Sequence, residues 1–383
     1  YLGSPSFRPS PPLDAGEPAG GAVERGEPLI HVSKRVGIAQ SKAWAIRGAA
    51  LVLALMISGL VIFSIVHLSP LKVYGAMFEG AFGTSRRAWV TIRDAMMMLC
   101  VAVGLAPAFK MRFWNIGAEG QILVGAIATA ACMIYLGNSL PTPALLAVMM
   151  VVSVIAGGVW GLIPGVFKAR WGTNETLFTL MMNYVAIQLT SFAVSKWETP
   201  IGSNSVGIIN QKSNAGWFPP IFGQAYTLNV VIVLTLAVLM YVYLKYSKQG
   251  YEISVVGDSE NTARYAGISV RKVYIRTMFL SGAICGIAGF LAVSGSSHTI
   301  SVDTAGGRGF TAIIVAWLAK FNTFVMILFS FLLMFLEKGA VEIASRYNLN
   351  SFVSDIITGI LLFCILGSEF FINYKVSFRR KHS

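Results

Sequence analysis

The feature that most constrains this chain is a succession of long apolar runs. They lie near 44–68, 89–109, 114–136, 144–167, 174–195, 226–246, 273–294, 323–336 and 353–371. A helix needs about 20 apolar residues to cross the hydrocarbon core of a bilayer. A further run, 309–319, is only 11 residues long and is flanked by Gly306, Gly307 and Gly309. An element of that length is tolerated at membrane depth only where protein or a cavity surrounds it. The pattern predicts an all-α polytopic membrane protein with about ten transmembrane segments, one of them a short or discontinuous helix near 309–319. Composition agrees: 55% of the residues are hydrophobic and 12% charged, about half the usual share of charge in a soluble domain. A disordered chain, a collagen and an ordinary water-soluble enzyme are excluded.

Residues 1–43 read differently. The stretches Ser4–Pro12 and Asp14–Pro28 are rich in Pro, Gly, Ser and Glu and bury too little apolar surface to fold. We expect a disordered cytoplasmic tail there, a transmembrane domain over 44–372, and a basic cytoplasmic C-terminal tail over 373–383. The tail opens at Tyr1, as a fragment would, and lacks the basic start and apolar core of a signal peptide. With the N-terminus inside, the loops assigned to the cytoplasm hold 18 Lys and Arg and the outer loops 8. This places both termini inside a plasma (inner) membrane, although Arg86 and Arg87 run against the trend. The net charge of +13 thus belongs to cytoplasmic loops and membrane lipid rather than to a nucleic acid polymer.

Catalytic signatures are missing. There is no phosphate-binding glycine loop, HExxH or GxSxG. The histidines His31, His67, His298 and His382 are scattered, and Cys100, Cys132, Cys285 and Cys364 lie inside apolar runs without metal spacing. No enzyme, metal site or disulfide is expected. Gly157, Gly161 and Gly165, and likewise Gly282 and Gly286, recur every four residues, as close helix packing in lipid requires.

Polar groups inside apolar runs are unfavourable and therefore informative. Asn115, Glu119 and Gln121 fall with Gly117 and Gly120 at the start of one run. Asn115 and Glu119 would share a helix face at i, i+4, as pathway lining, a helix break, or plain capping. Glu175, Thr179 and Asn183 share a face of the next run but one, where Glu175 suits a helix N-terminus and Asn183 is the deeper lining candidate. In the loop 247–272, Asp258 or Ser259 suits the cap of a short helix carrying Ala263, Tyr265 and Ala266, with Gly267 as its stop. Such a helix is a docking element for a soluble partner, or else a solvated loop. Gly306, Gly307 and Gly309 precede Phe310 and Thr311, as in the discontinuous helices of transport sites, or in an outer turn.

These residues carry a resemblance. The run from Phe113 through Asn115 and Glu119 to Gln121 resembles permeases of ATP-binding-cassette importers, as does the run from Lys168 through Asn174 and Glu175 to Tyr184. So do Gly257 through Ala263 to Ile268, Ser281 to Gly289, and Gly309–Phe310. The set is similar to the branch of ribose, branched-chain amino acid and nucleoside permeases, most of all the nucleoside (guanosine-type) ones, over about 70–372. Two departures stand out: Trp114 sits where a small or apolar residue would be expected, and the short segment reads Ile-Ile-Val-Ala-Trp-Leu-Ala-Lys over 313–320, where relatives tend to carry an Ala-Leu-Leu-Gly ending. The resemblance implies a transport subunit without its own ATPase motif and without a bound cofactor, ATP being used by a separate cytoplasmic subunit. It implies a second related permease, often in a heterodimer, and an extracytoplasmic solute-binding protein. It makes Gly257, Asp258, Ala263, Arg264, Ala266, Gly267 and Ile268 the ATPase-coupling loop. For a nucleoside, amides and aromatic faces would serve base and ribose, so Asn115, Glu119, Gln121, Asn183 and Phe310 are the expected pathway residues. A ribose-like sugar is the alternative solute. An ion-coupled secondary transporter is the alternative class, which would need charges deep in several helices; Arg93 is the one strong charge well inside a run.

Overall fold

The computed structural model describes residues 30–34, 40–66 and 69–348, and a subset of residues between 356 and 378. In chain order the helices are α1 (Gln40–Val66), α2 (Pro70–Phe82), α3 (Ser85–Lys110), α4 (Ala118–Leu136), α5 (Thr142–Trp171), α6 (Glu175–Trp197), α7 (Thr227–Tyr246), α8 (Lys248–Asp258), α9 (Glu260–Tyr265), α10 (Val270–Ala292), α11 (Arg308–Leu318) and α12 (Thr323–Arg346). A π-helical turn, Val293–Ser297, extends α10. Among the described residues, seven helices are long and apolar enough to cross a membrane: α3 to α7, α10 with its π-turn, and α12. α1 covers the first apolar run, α11 the short one, and the described residues between 356 and 372 are helical. The apolar runs up to residue 348 each have their helix, and the protein is a polytopic helical membrane protein.

Three features depart from the sequence expectation. α2 lies in the stretch 69–88 taken as a loop, and its glycines and short length hide it from a span count. α8 occupies the first half of 247–272. Inside the two expected tails, strand β1 (Ile30–Lys34) pairs antiparallel with β2 (Tyr374–Phe378), Val32 opposite Val376. Most of the remaining tail sequence, 1–29 and 379–383, lies outside the described residues.

The centre of the bundle is α10, packed between α5 and α4. Its glycines make this possible. A methyl on Gly282 would sit 2.3 Å from the Gly157 carbonyl, one on Gly286 2.3 Å from the Ser153 carbonyl, and one on Gly289 2.3 Å from the Ile122 carbonyl. Gly161 faces the Met278 carbonyl in the same way at 2.6 Å. Between apolar helices in lipid there is no hydrophobic gain, so this backbone-to-backbone approach supplies the packing. α3 closes another side and is buried from Asp94 to Phe109.

The loop sets read as inside and outside gather at opposite ends. At one end, Lys110 Nζ donates to the Leu244 carbonyl at 3.4 Å, and Lys168 pairs with Glu175 at 2.9 Å. At the other, Asn210 Nδ2 donates to the Met133 carbonyl at 2.8 Å, and Trp217 stacks on His298 at 3.8 Å. Arg87, contrary to the charge trend, is held at this second end by Glu342 at 3.2 Å. Replacement Gly282→Ala is expected to lower the thermal midpoint of the purified protein by an amount corresponding to about 1–3 kcal/mol. Gly75→Ala is the control, because no atom lies within 4 Å of a methyl there. Melting curves of both variants in detergent check this.

Candidate functional site

α3 ends at Lys110, at the end of the bundle that also holds α8. The chain then turns back inward as an irregular segment, 111–117, before α4 begins. The depth of this segment follows from its partners. Asn115 Nδ2 donates to Ser281 Oγ at 3.1 Å, and Ser281 lies eleven residues along α10 from Val270, about 16 Å at 1.5 Å per residue. α4 thus starts inside the bundle. Asn115 is placed before the helix rather than on it, which corrects the expectation that Asn115 and Glu119 share a helical face. Gly117 and Gly120 allow close approach here: a methyl on Gly120 would lie 3.0 Å from Asn183 Oδ1 and one on Gly117 3.1 Å from Thr179.

A helix start leaves N–H groups without partners, and side chains of other segments take these. The Gly117 N–H donates to Asn115 Oδ1 at 3.1 Å, the Ile116 N–H to Thr179 Oγ1 at 3.2 Å, and the Gly120 N–H to Asn183 Oδ1 at 2.8 Å. Asn183 Nδ2 returns a bond to the Ile116 carbonyl at 2.9 Å. Gln121 Nε2 donates to Asn115 Oδ1 at 3.2 Å. Asn115, Gln121 and Asn183 are all buried. The structure therefore brings these three amides together as a hydrogen-bonded joint between α4, α6 and α10.

Glu119 serves a second helix start. Its carboxylate accepts from the Gly307 N–H at 2.7 Å and the Gly309 N–H at 2.8 Å, across 188 residues of sequence from Gly307. These donors belong to the N-terminus of α11, whose partial positive charge suits a carboxylate. Gly306 and Gly307 have φ of +60° and +71°, the left-handed conformation that glycine adopts without strain. α11 has 11 residues, about 16 Å, or half the hydrocarbon core. Its first turn meets Asp94 through Arg308 at 3.7 Å, and its last packs Trp317 on Phe109. Phe310, Ile314 and Trp317 follow one another on one side of α11, and Phe310 and Trp317 are exposed.

A charged cluster that sequence reasoning missed lies beside α11. Asp94, nearly inaccessible, pairs with Arg93 at 2.8 Å and Lys338 at 2.6 Å as well as Arg308. Arg93 also sits 5.0 Å from the centre of the Tyr226 ring. Arg93 was visible as a charge inside an apolar run; its adjacent acid was the available signal for the cluster. The charge is thus paired, as membrane-buried charges must be.

The two departures from the family pattern meet. Trp114 stacks on Trp317 with centroids 5.4 Å apart and planes 25° apart. Phe109 lies edge-on to both rings.

At the loop end, Ser259 caps α9, its Oγ accepting from the Thr262 N–H at 3.3 Å. Gly267, at φ +74°, ends the helix, its N–H donating to the Arg264 carbonyl and that of Ile268 to the Ala263 carbonyl. Ala263 is buried, whereas Tyr265 is 93% exposed. Gly257 lies against the backbone of α3, where a methyl would be 2.1 Å from the Lys110 carbonyl. Asp258 is the last residue of α8, and Ala266 follows α9. Tyr274 Oη donates to Glu260 at 2.6 Å. A cavity of about 520 Å³ opens between α9 and the loop after α5, lined by Lys168, Glu260, Arg264, Ile268, Arg271 and Tyr274.

Comparison with known proteins decides the family. The model of the branched-chain amino acid transport system permease component matches residues 90–366. The chain belongs to this permease family. The guanosine ABC transporter permease protein NupP of Bacillus subtilis is 32% identical over 319 residues, 81% of this chain and 90% of its own length. The glucose ABC transporter permease protein TsgB13 of Haloferax volcanii is 28% identical over 350 residues, 87% of this chain and 90% of its own. The nucleoside ABC transporter permease protein NupB of Lactococcus lactis is 26% identical over 275 residues, 69% of this chain and 75% of its own. The protein is thus the membrane permease component of an ABC transporter rather than its ATPase.

Replacing Glu119 by Ala leaves two inward-facing N–H groups of α11 without acceptors, at a cost of roughly 1–3 kcal/mol each. We expect a lowered thermal midpoint and faster amide exchange at Gly307 and Gly309, with α5 and α10 unchanged. Hydrogen-exchange mass spectrometry checks it.

Proposed function

We propose that this permease moves a nucleoside across the plasma (inner) membrane, inward, by alternating access. The observation that carries the substrate class is the likeness to the guanosine permease NupP over 81% of the chain, supported by the nucleoside permease NupB. A ribose-like or other sugar is the second reading, favoured by the likeness to the glucose permease TsgB13.

In this proposal a second, related permease completes the pathway. Its support is that Bacillus subtilis has two proteins named guanosine ABC transporter permeases, NupP and NupQ, and this chain is similar to both. A cytoplasmic ATP-binding subunit docks on α9 and its flanks, Gly257, Asp258, Ala263, Arg264, Ala266, Gly267 and Ile268. An extracytoplasmic solute-binding protein delivers the nucleoside. This chain binds no cofactor; ATP is used by the partner. Both termini lie in the cytoplasm, with 1–43 and 373–383 as tails around the permease domain.

The mechanism rests on the two helix starts inside the bundle. Asn115, Glu119, Gln121 and Asn183 set the wall of the pathway, and Phe310 presents an aromatic face to the solute. ATP binding and hydrolysis move the ATPase pair. The α9 segment transmits that motion through Gly257 to α3 and through Tyr274 to α10. Because α4 and α11 begin inside the bundle, their starts are the points where small shifts of α3 and α10 change access from one side to the other.

Proteoliposomes holding this chain, its second permease, the ATPase and the binding protein test the proposal. We expect ATP-dependent uptake of labelled nucleoside, absent when any subunit is omitted. Gly267→Val, which forces a β-branched residue to positive φ, should abolish uptake while the purified permease stays folded. Uptake of ribose or glucose alone would replace the solute. Uptake by this chain alone without ATP would overturn the importer reading in favour of an ion-coupled transporter.

A further inference from the structure

The seven candidate spans contain four amide side chains, Gln121, Asn183, Gln188 and Asn229. Three are buried, and Gln188 alone is exposed. It lies thirteen residues after Glu175 and nine before Trp197, at the centre of its span, and makes no hydrogen bond among the described residues. The opposite side of α6 is the packed one, with Thr179, Asn183, Ala186 and Thr190 buried. Exposed positions on other spans contrast with it: Val151, Ile155 and Val159 on α5, which packs on α6, and Val238, Leu239 and Val242 on α7 are aliphatic and suit lipid tails. Met181, Val185 and Phe192 beside it are exposed and apolar, so Gln188 and Tyr184 are the polar points of this face. An unpaired amide in hydrocarbon is costly, and Gln188 therefore meets a polar group outside this chain.

One turn earlier on the same side stands Tyr184, 59% exposed. An aromatic plate and an amide separated by about 6 Å along a helix fit a planar heterocycle. The ring offers a stacking face, and the Gln amide both donates and accepts along an edge.

We propose that Tyr184 and Gln188 contact the solute in transit, Tyr184 stacking on its base and Gln188 pairing with the base edge, and so set preference for a nucleobase over a bare sugar. This rests on the nucleoside reading above and names the residues that would enforce it.

The test uses the assembled transporter. Gln188→Leu and Tyr184→Leu should each raise the KM for guanosine uptake roughly 3- to 10-fold, change kcat less, and narrow the preference for guanosine over ribose. Gln188→Cys should react with a water-soluble thiol reagent, and excess guanosine should slow that reaction, whereas Val238→Cys should stay unreactive. Unchanged KM together with an unreactive Gln188→Cys would overturn the inference. So would unchanged kinetics with a cross-link from the Gln188→Cys variant to the second permease, which would make the amide an interhelical contact. If the wild-type complex carries no nucleoside, the substrate reading fails separately. Protection of Gln188→Cys by the solute actually carried would then keep α6 in the pathway, and lack of protection would remove it.

Discussion

Two helices of this permease begin at depth inside the bundle, and the rest of the arrangement follows from how their N–H groups are satisfied. Each N–H group left without a partner at this depth costs several kcal/mol. α4 solves the problem with Asn115 from its own approach segment and Asn183 from α6. α11 solves it with Glu119 of α4. The three helices are thereby tied in one chain of bonds: α6 holds α4, and α4 holds α11. Arg308, carried on the first turn of α11, then reaches Asp94 of α3. The same residues that make the broken helices tolerable also set where α11 stands against α3, α4 and α12.

The second constraint is the glycine contact of α10 with α5 and α4. It is a contact of backbone with backbone, so it admits little rearrangement short of separation. The hydrogen-bonded joint is tied to it at Ser281, which lies on α10 one residue before Gly282. The α5–α10–α4 core is therefore the rigid frame, and α11 joins it through Glu119 at its start while packing Ala312, Val315, Ala316 and Leu318 into the core beside α3. A helix of 11 residues buries less surface than a full span and moves more readily. This division of labour suits a permease, which keeps its fold while one part of the wall changes position.

Local features were legible from sequence and distant pairings were not. Ser259 and Gly267 bracket the α9 helix, and capping acts within one turn, so that helix could be read directly. The glycine stripes could be read as packing faces, because a four-residue repeat sets one side of a helix whatever lies opposite. Glu119 was recognisable as an unfavourably placed carboxylate, but its partner is the backbone of Gly307 and Gly309, which no side-chain pattern announces. Asn115 looked helical because it falls at the start of a long apolar run, and only the return of 111–117 into the bundle places it ahead of α4. Asp94 was hidden by its neighbour Arg93, since its other partners, Arg308 and Lys338, come from α11 and α12. Gln188 was passed over because hydropathy counts a span without telling which side of it is covered.

The sequence by itself determined that the chain is a bundle of membrane helices, that one segment is too short to span, that a capped helix lies between two spans, and which family it joins. Those properties depend on apolar length, on glycine and on residues within a turn of one another. Only the tertiary structure decided which buried polar groups satisfy each other, which charges neutralise Asp94, and that Trp114 and Trp317, two separate departures from the family pattern, stack as a pair. The physical reason is the same in each case. In a low-dielectric interior a polar or aromatic side chain acquires its role from the partner it meets, and most of those partners lie tens to hundreds of residues away.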